Sequence, residues 1–136
     1  MEGSVIKIGT SASIKKIFTQ EEVRIFSEIS LDSNPIHLDA EYASRTKFGK
    51  PIVQGFFVGS LISAVIANKL PGEGSIYINQ TMNFELPVFI GDEITATIKI
   101  EHIKNNKVYY LDTKCYNQNG EIVINGTATI LKKPTD

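Results

Sequence analysis

From Pro51 to Asn68 the chain carries no charged side chain, and the rest of the fold has to hide that stretch. Its length falls at the lower edge of a membrane-spanning helix. Gln54, Ser60, Ser63, Asn68 and two glycines interrupt it, however, and charges are spread through the remaining sequence. The reading is therefore a helix over about 55–69, apolar on every side and buried within a domain. It stops ahead of Pro71-Gly72-Glu73-Gly74, a turn rather than a phosphate loop.

Beyond that turn the period changes from helical to alternating. Ile76, Ile78, Met82, Phe84 and Leu86 alternate with Tyr77, Asn79, Thr81, Asn83 and Glu85, and Ile94, Ala96, Ile98 and Ile100 alternate with Thr95, Thr97, Lys99 and Glu101. Both patterns predict half-buried strands. Asn105-Asn106 and Asn119-Gly120 have hairpin-turn chemistry, which places further strands near 107–117 and 121–131. Upstream, residues 11–18 predict a short strand. Thr19 with Glu22 then forms a capping box, starting a helix that carries Val23, Phe26 and Ile29 and ends near Ser30. Asp39 caps a second short helix through Tyr42 and Ala43. Short helices followed by turn-linked strands imply an α+β architecture with an antiparallel sheet of about five strands. A helix apolar all round is best covered by a strongly curved sheet wrapped about it. One sheet of this size covers a helix incompletely, so a homodimer is expected.

At 136 residues the chain is expected to form one domain, 1–136. A net charge of −1 with no block of like charges leaves no footprint for nucleic acid or an anionic membrane. The sole cysteine, Cys115, rules out an internal disulfide and a cysteine-rich zinc site, and its position in a predicted strand makes it a buried structural thiol. No secretory leader is expected at the N-terminus, and the setting expected is cytoplasmic. His102, at a strand end beside a polar turn, reads as a surface residue.

Chemistry concentrates in Asp32-Ser33-Asn34-Pro35-Ile36-His37. Proline fixes the loop between a carboxylate and an imidazole, and Ile29, Leu31, Ile36 and Leu38 flank the pair and are expected to desolvate it. Asp32 and His37 so placed can hold one water and divide its protons. The second element is the helix start at Gly55. Unpaired N–H groups and the positive dipole end favour negative charge there, and glycine lets a carbonyl oxygen come close. Gly55, Gly59, Ser63 and Ala67 recur every four residues, a small-residue stripe that serves either close packing or a groove for a slender ligand. Ser63 supplies the only side-chain hydroxyl in it.

The chain resembles the (R)-specific enoyl-CoA hydratases, the MaoC-like hydratases of the hot-dog fold. The resemblance lies in Ser30 to His37 with Ala43, in Pro51-Ile52-Val53-Gln54-Gly55, in Leu70 to Tyr77 and in Phe84 to Glu93, and spans nearly the whole chain. Leu31 and Gln54 depart from it, standing where the family more often has Gly or Glu and His. The resemblance implies a curved sheet around a long central helix, a short helical overhang bearing the Asp/His motif, and a dimer with one continuous sheet. It implies Asp32 and His37 as the catalytic pair, the Gly55 amide as the oxyanion hole, and Asn34, Ser63 and Gln54 as substrate-binding or supporting residues. The implied reaction is reversible syn hydration of trans-2-enoyl-CoA to (R)-3-hydroxyacyl-CoA, with no metal or cofactor and with CoA present only as part of the acyl-CoA substrate. A hot-dog acyl-CoA thioesterase and a non-catalytic acyl-CoA-binding module remain alternatives. The pathway stays open between supply of polyhydroxyalkanoate precursors, fatty-acid breakdown and a fermentative route.

Overall fold

The uncharged stretch forms helix α4 (Gly55–Asn68), and Val58, Leu61, Ile62, Val65 and Ile66 bury its inner faces. The computed structural model describes residues 5–134; residues 1–4 and 135–136, which the one-domain and leader expectations also cover, lie outside the described residues. Around α4 runs an antiparallel sheet of β1 (Ser11–Ile17), β2 (Ile76–Gln80), β3 (Asn83–Phe84), β4 (Glu93–Lys104), β5 (Val108–Tyr116) and β6 (Ile122–Leu131), in the order β1-β4-β5-β6-β2, with β3 also on β6. The helix packs against β1, β4 and β5.

The sheet's inner face follows from the period-2 pattern. Ile94, Ala96, Ile98 and Ile100 of β4 are fully buried, and Leu111, Ile124, Ala128 and Ile130 join them from β5 and β6. Thr113 is the polar residue on that face, and its hydroxyl accepts a hydrogen bond from Gln80 Nε2 at 3.0 Å. Between β4 and β5, Asn105 and Asn106 take φ of 55° and 57°, the left-handed pair that a type I′ hairpin requires.

Three short helices precede α4: α1 (Gln20–Ser30), α2 (Pro35–Leu38) and α3 (Ala40–Ser44). The Thr19 capping box is complete: Glu22 N–H donates to Thr19 Oγ1 at 3.2 Å, and Thr19 N–H donates to Glu22 Oε1 at 3.3 Å. Leu31 closes α1 in the left-handed conformation, φ 69°. Asp39 caps α3 through the N–H groups of Glu41 and Tyr42.

The segment 76–86 departs from its expected form. It makes two strands rather than one, so the sheet has six strands and not five. A register shift falls between Tyr77 and Asn79, and Thr81-Met82 separates β2 from β3. Of its apolar residues only Met82 is half-buried; Ile76, Ile78, Phe84 and Leu86 are all exposed. The physical reason is position, because β2 lies at the sheet's edge. The cover over α4 is incomplete as well, with Phe56, Ser60 and Ala67 open along one side. Among the described residues no helix is long and apolar enough to cross a membrane.

Candidate active site

Pro35 opens α2 at its first turn, where a missing N–H costs nothing, and the Asn34 side chain caps the same turn by accepting from Ile36 N–H at 3.3 Å. Two residues later His37 points inward and is 7 % exposed. Its Nδ1 lies 2.8 Å from the carbonyl oxygen of Ile52. A carbonyl only accepts, so Nδ1 carries the hydrogen and the neutral ring presents a bare Nε2. The Ile52 segment is itself held, by Ile52 N–H donating to Ile36 O at 3.2 Å and Val53 N–H donating to Val88 O at 2.7 Å.

Asp32 faces that bare nitrogen. Its Oδ1 accepts from Asn34 N–H at 3.2 Å, which orients the carboxylate, and Oδ2 stands 4.0 Å from His37 Nε2. This gap is too long for a direct hydrogen bond. It suits one water, which at about 2.8 Å from each atom would donate to both. The flanking apolar residues do not enclose the pair as expected. Ile29 and Leu31 are exposed, and the Asp32 side chain is 45 % exposed. Leu31 takes the left-handed conformation at φ 69° and stands almost fully exposed, so its side chain covers neither group. Desolvation therefore falls on His37 alone.

A cavity of about 520 Å³ brings His37 together with Gly55, lined further by Phe48, Phe56, Phe84 and Ile124. Gly55 opens α4, and no side chain caps the helix there. The preceding Gln54 is 1 % exposed and turned away from the cavity. Its Nε2 donates to Val23 O at 3.0 Å and Ser27 Oγ at 2.9 Å, both on α1. Phe57 N–H already donates to Gln54 O at 3.0 Å, which leaves the N–H groups of the cavity-lining Gly55 and Phe56 at the helix start, where the dipole favours developing negative charge. Glycine at position 55 is a matter of space, since a Cβ there would stand 2.7 Å from the Phe84 ring. Asn34 and Gln54 lie outside the cavity and hold its elements. Ser63, half-buried two turns along α4, is also outside it.

Sequence reasoning missed two contributors. The Ile52 carbonyl that clamps His37 has no signature in residue type, because any residue supplies that oxygen. For Phe84 the alternation predicts a place in a half-buried strand, and the resemblance includes it without a site role, whereas it forms a cavity wall over Gly55, with its ring centroid 6.2 Å from that of Phe56. Among the described residues no cluster of His, Cys, Asp or Glu is arranged to hold a metal ion.

Comparison with known proteins bears on the family and the fold. The family model described as MaoC like domain matches residues 5–118. The chain is 38 % identical over 131 residues to the (R)-specific enoyl-CoA hydratase of Aeromonas caviae, covering 96 % of this chain and 98 % of that protein. It is 40 % identical over 131 residues to a mitochondrial 3-hydroxyacyl-(acyl-carrier-protein) dehydratase of Solanum lycopersicum, covering 94 % of this chain and 78 % of the other. The solved (R)-hydratase from A. caviae involved in PHA biosynthesis superposes with a TM-score of 0.92 at 37 % identity, over 96 % of this chain and all of that one. On this evidence the chain belongs to the MaoC-like domain family and has its hot-dog fold.

Proposed function

We propose that this chain is an (R)-specific enoyl-CoA hydratase, adding water reversibly and syn across the double bond of a trans-2-enoyl-CoA. The observation that carries the reading is His37: its ring is clamped through Nδ1 with Nε2 bare, 4.0 Å from Asp32, in a cavity whose wall includes the start of α4. A water held between Asp32 Oδ2 and His37 Nε2 loses a proton to the ring nitrogen, the one acceptor on the imidazole, as its oxygen bonds to C3. The C2–C3 π pair moves toward the thioester, whose oxygen becomes an enolate that the Gly55 N–H and the helix dipole stabilise. The pair then returns a proton to C2 from the face that delivered the oxygen, which makes the addition syn. The overall reaction is redox-neutral and each proton has a carrier, so we assign no metal or cofactor, and CoA enters as part of the substrate.

Coverage of nearly the whole A. caviae hydratase supports a CoA thioester. We further propose that the chain works as a homodimer, supported by the exposed edge of β2 with Ile76 and Ile78 and by the open side of α4. A reducing cytoplasm suits Cys115, a free buried thiol.

The test is hydration of crotonyl-CoA, followed as loss of enoyl-thioester absorbance. The wild-type chain is expected to turn over, and Asp32→Ala and His37→Ala are each expected to lose at least about 100-fold, the low end for a positioned acid or base. An inert wild type, or variants at full rate, refutes the proposal. Release of free CoA in place of hydration assigns a thioesterase, and saturable binding without turnover assigns a silent acyl-CoA-binding module.

A further inference from the structure

The small-residue stripe of α4 is occupied. A Cβ on Gly55 would stand 2.7 Å from the Phe84 ring, and one on Gly59 would stand 2.6 Å from Met82 Sδ and 3.9 Å from Ile124 Cδ1. Residues 82 and 84 share a side of an extended segment, residues 55 and 59 share a face of a helix, and each glycine receives one side chain. The two side chains differ in what they border. Phe84 lines the cavity with Gly55, Val58 and Ile124, whereas Met82 does not reach it. Met82 thus sits over Gly59 one helical turn beyond Gly55, beside the cavity-lining Ile124. It is half-buried and unbranched, a flexible filler rather than a rigid wall.

We propose that Met82, seated on Gly59, is the end stop of the acyl pocket and restricts the substrate to short acyl chains. The inference rests on the acyl-thioester reading above. With the thioester oxygen at the Gly55 amide, four helical residues leave roughly 6 Å along α4 before Met82 is met, room for a short chain such as crotonyl. The next small residue along the stripe is Ser63, so removing Met82 extends the pocket toward that hydroxyl and away from the reacting carbons.

Binding of unreactive saturated thioesters tests this without turnover. Dissociation constants of butyryl-CoA and octanoyl-CoA are measured by calorimetry for the wild type, Met82→Ala and the double variant Met82→Ala/Gly59→Ala, with circular dichroism checking the fold. The wild type is expected to favour butyryl-CoA. Met82→Ala is expected to shift the ratio toward octanoyl-CoA about tenfold, the size of a pocket change of one or two methylenes. Restoring bulk at residue 59 is expected to reverse the shift. Met82→Val, a milder truncation, is expected to shift the ratio the same way and serves if the alanine variant fails to fold. An unchanged ratio with both ligands still bound overturns the role of Met82 alone, as does an octanoyl preference in the wild type or in the double variant. Failure of every variant to bind either thioester overturns the acyl-thioester reading and this inference with it.

Discussion

His37 and Asp32 lie five residues apart, yet the fold places them in different solvents. The imidazole is buried and its tautomer set by Ile52, whereas the carboxylate keeps contact with water. On the proposed mechanism, a ring held through Nδ1 presents the same nitrogen on every turnover, and an exposed partner lets water refill the gap. Cys115 shows the opposite use of burial. Desolvation in β5 pushes its thiol up from 9.0 to about 12. The folded state therefore keeps a proton that the unfolded state loses above pH 9, and this contribution to stability is complete below pH 9 and declines as pH rises toward 12. At pH 8 the native thiol is expected to resist an aromatic disulfide reagent and to react fully once the chain is unfolded in urea. Rapid labelling of the native protein refutes the placement.

At the scale of elements, the site is made by how α1 and α2 are tied to the start of α4. The Thr19 capping box was legible because its partners are three residues apart and its hydrogen bonds form within one turn. The Gln54 link was not legible, since Val23 and Ser27 are 31 and 27 residues away in sequence and no local pattern connects them. Its Nε2 supplies both bonds, while Oε1 is buried without a hydrogen-bond partner among the described residues. Gln54→Leu keeps similar bulk but leaves the buried Ser27 Oγ without its Gln54 donor, while Val23 O keeps only the bond it accepts within α1. A loss of about 1–3 kcal/mol is expected from leaving that hydroxyl short of a partner, read as a lower midpoint in urea. An unchanged midpoint shows that α1 and α4 are held together by apolar packing alone.

For the molecule as a whole, the unfinished surfaces matter most. The outer edge of β2 has no neighbouring strand among the described residues, and Ile76, Ile78, Phe84 and Leu86 stand exposed near it, with Phe56 at the open side of α4. Edge strands with apolar surface invite pairing, and a two-fold β2–β2 contact would continue the sheet through both copies. Light scattering after size exclusion is expected to give twice the chain mass for the wild type and the chain mass for Ile78→Lys, since a lysine directly opposed to its symmetry mate is repulsive. A monomeric wild type, or a dimer that survives the lysine, rules this surface out.

The sequence by itself determined the uncharged helix, the alternation of β4 to β6, the Asn-Asn hairpin and the Asp32/His37 loop, because each rests on spacing within a few residues. It also carried the family, through motifs that keep their order along the chain. Only the tertiary structure decided that 76–86 is an interrupted edge, that Asp32 stays wet while His37 is buried, and that Met82 and Phe84 fill the glycine stripe. Those outcomes depend on which distant surfaces come together. A period-2 pattern says that one face is apolar, but not whether this chain covers that face or leaves it bare.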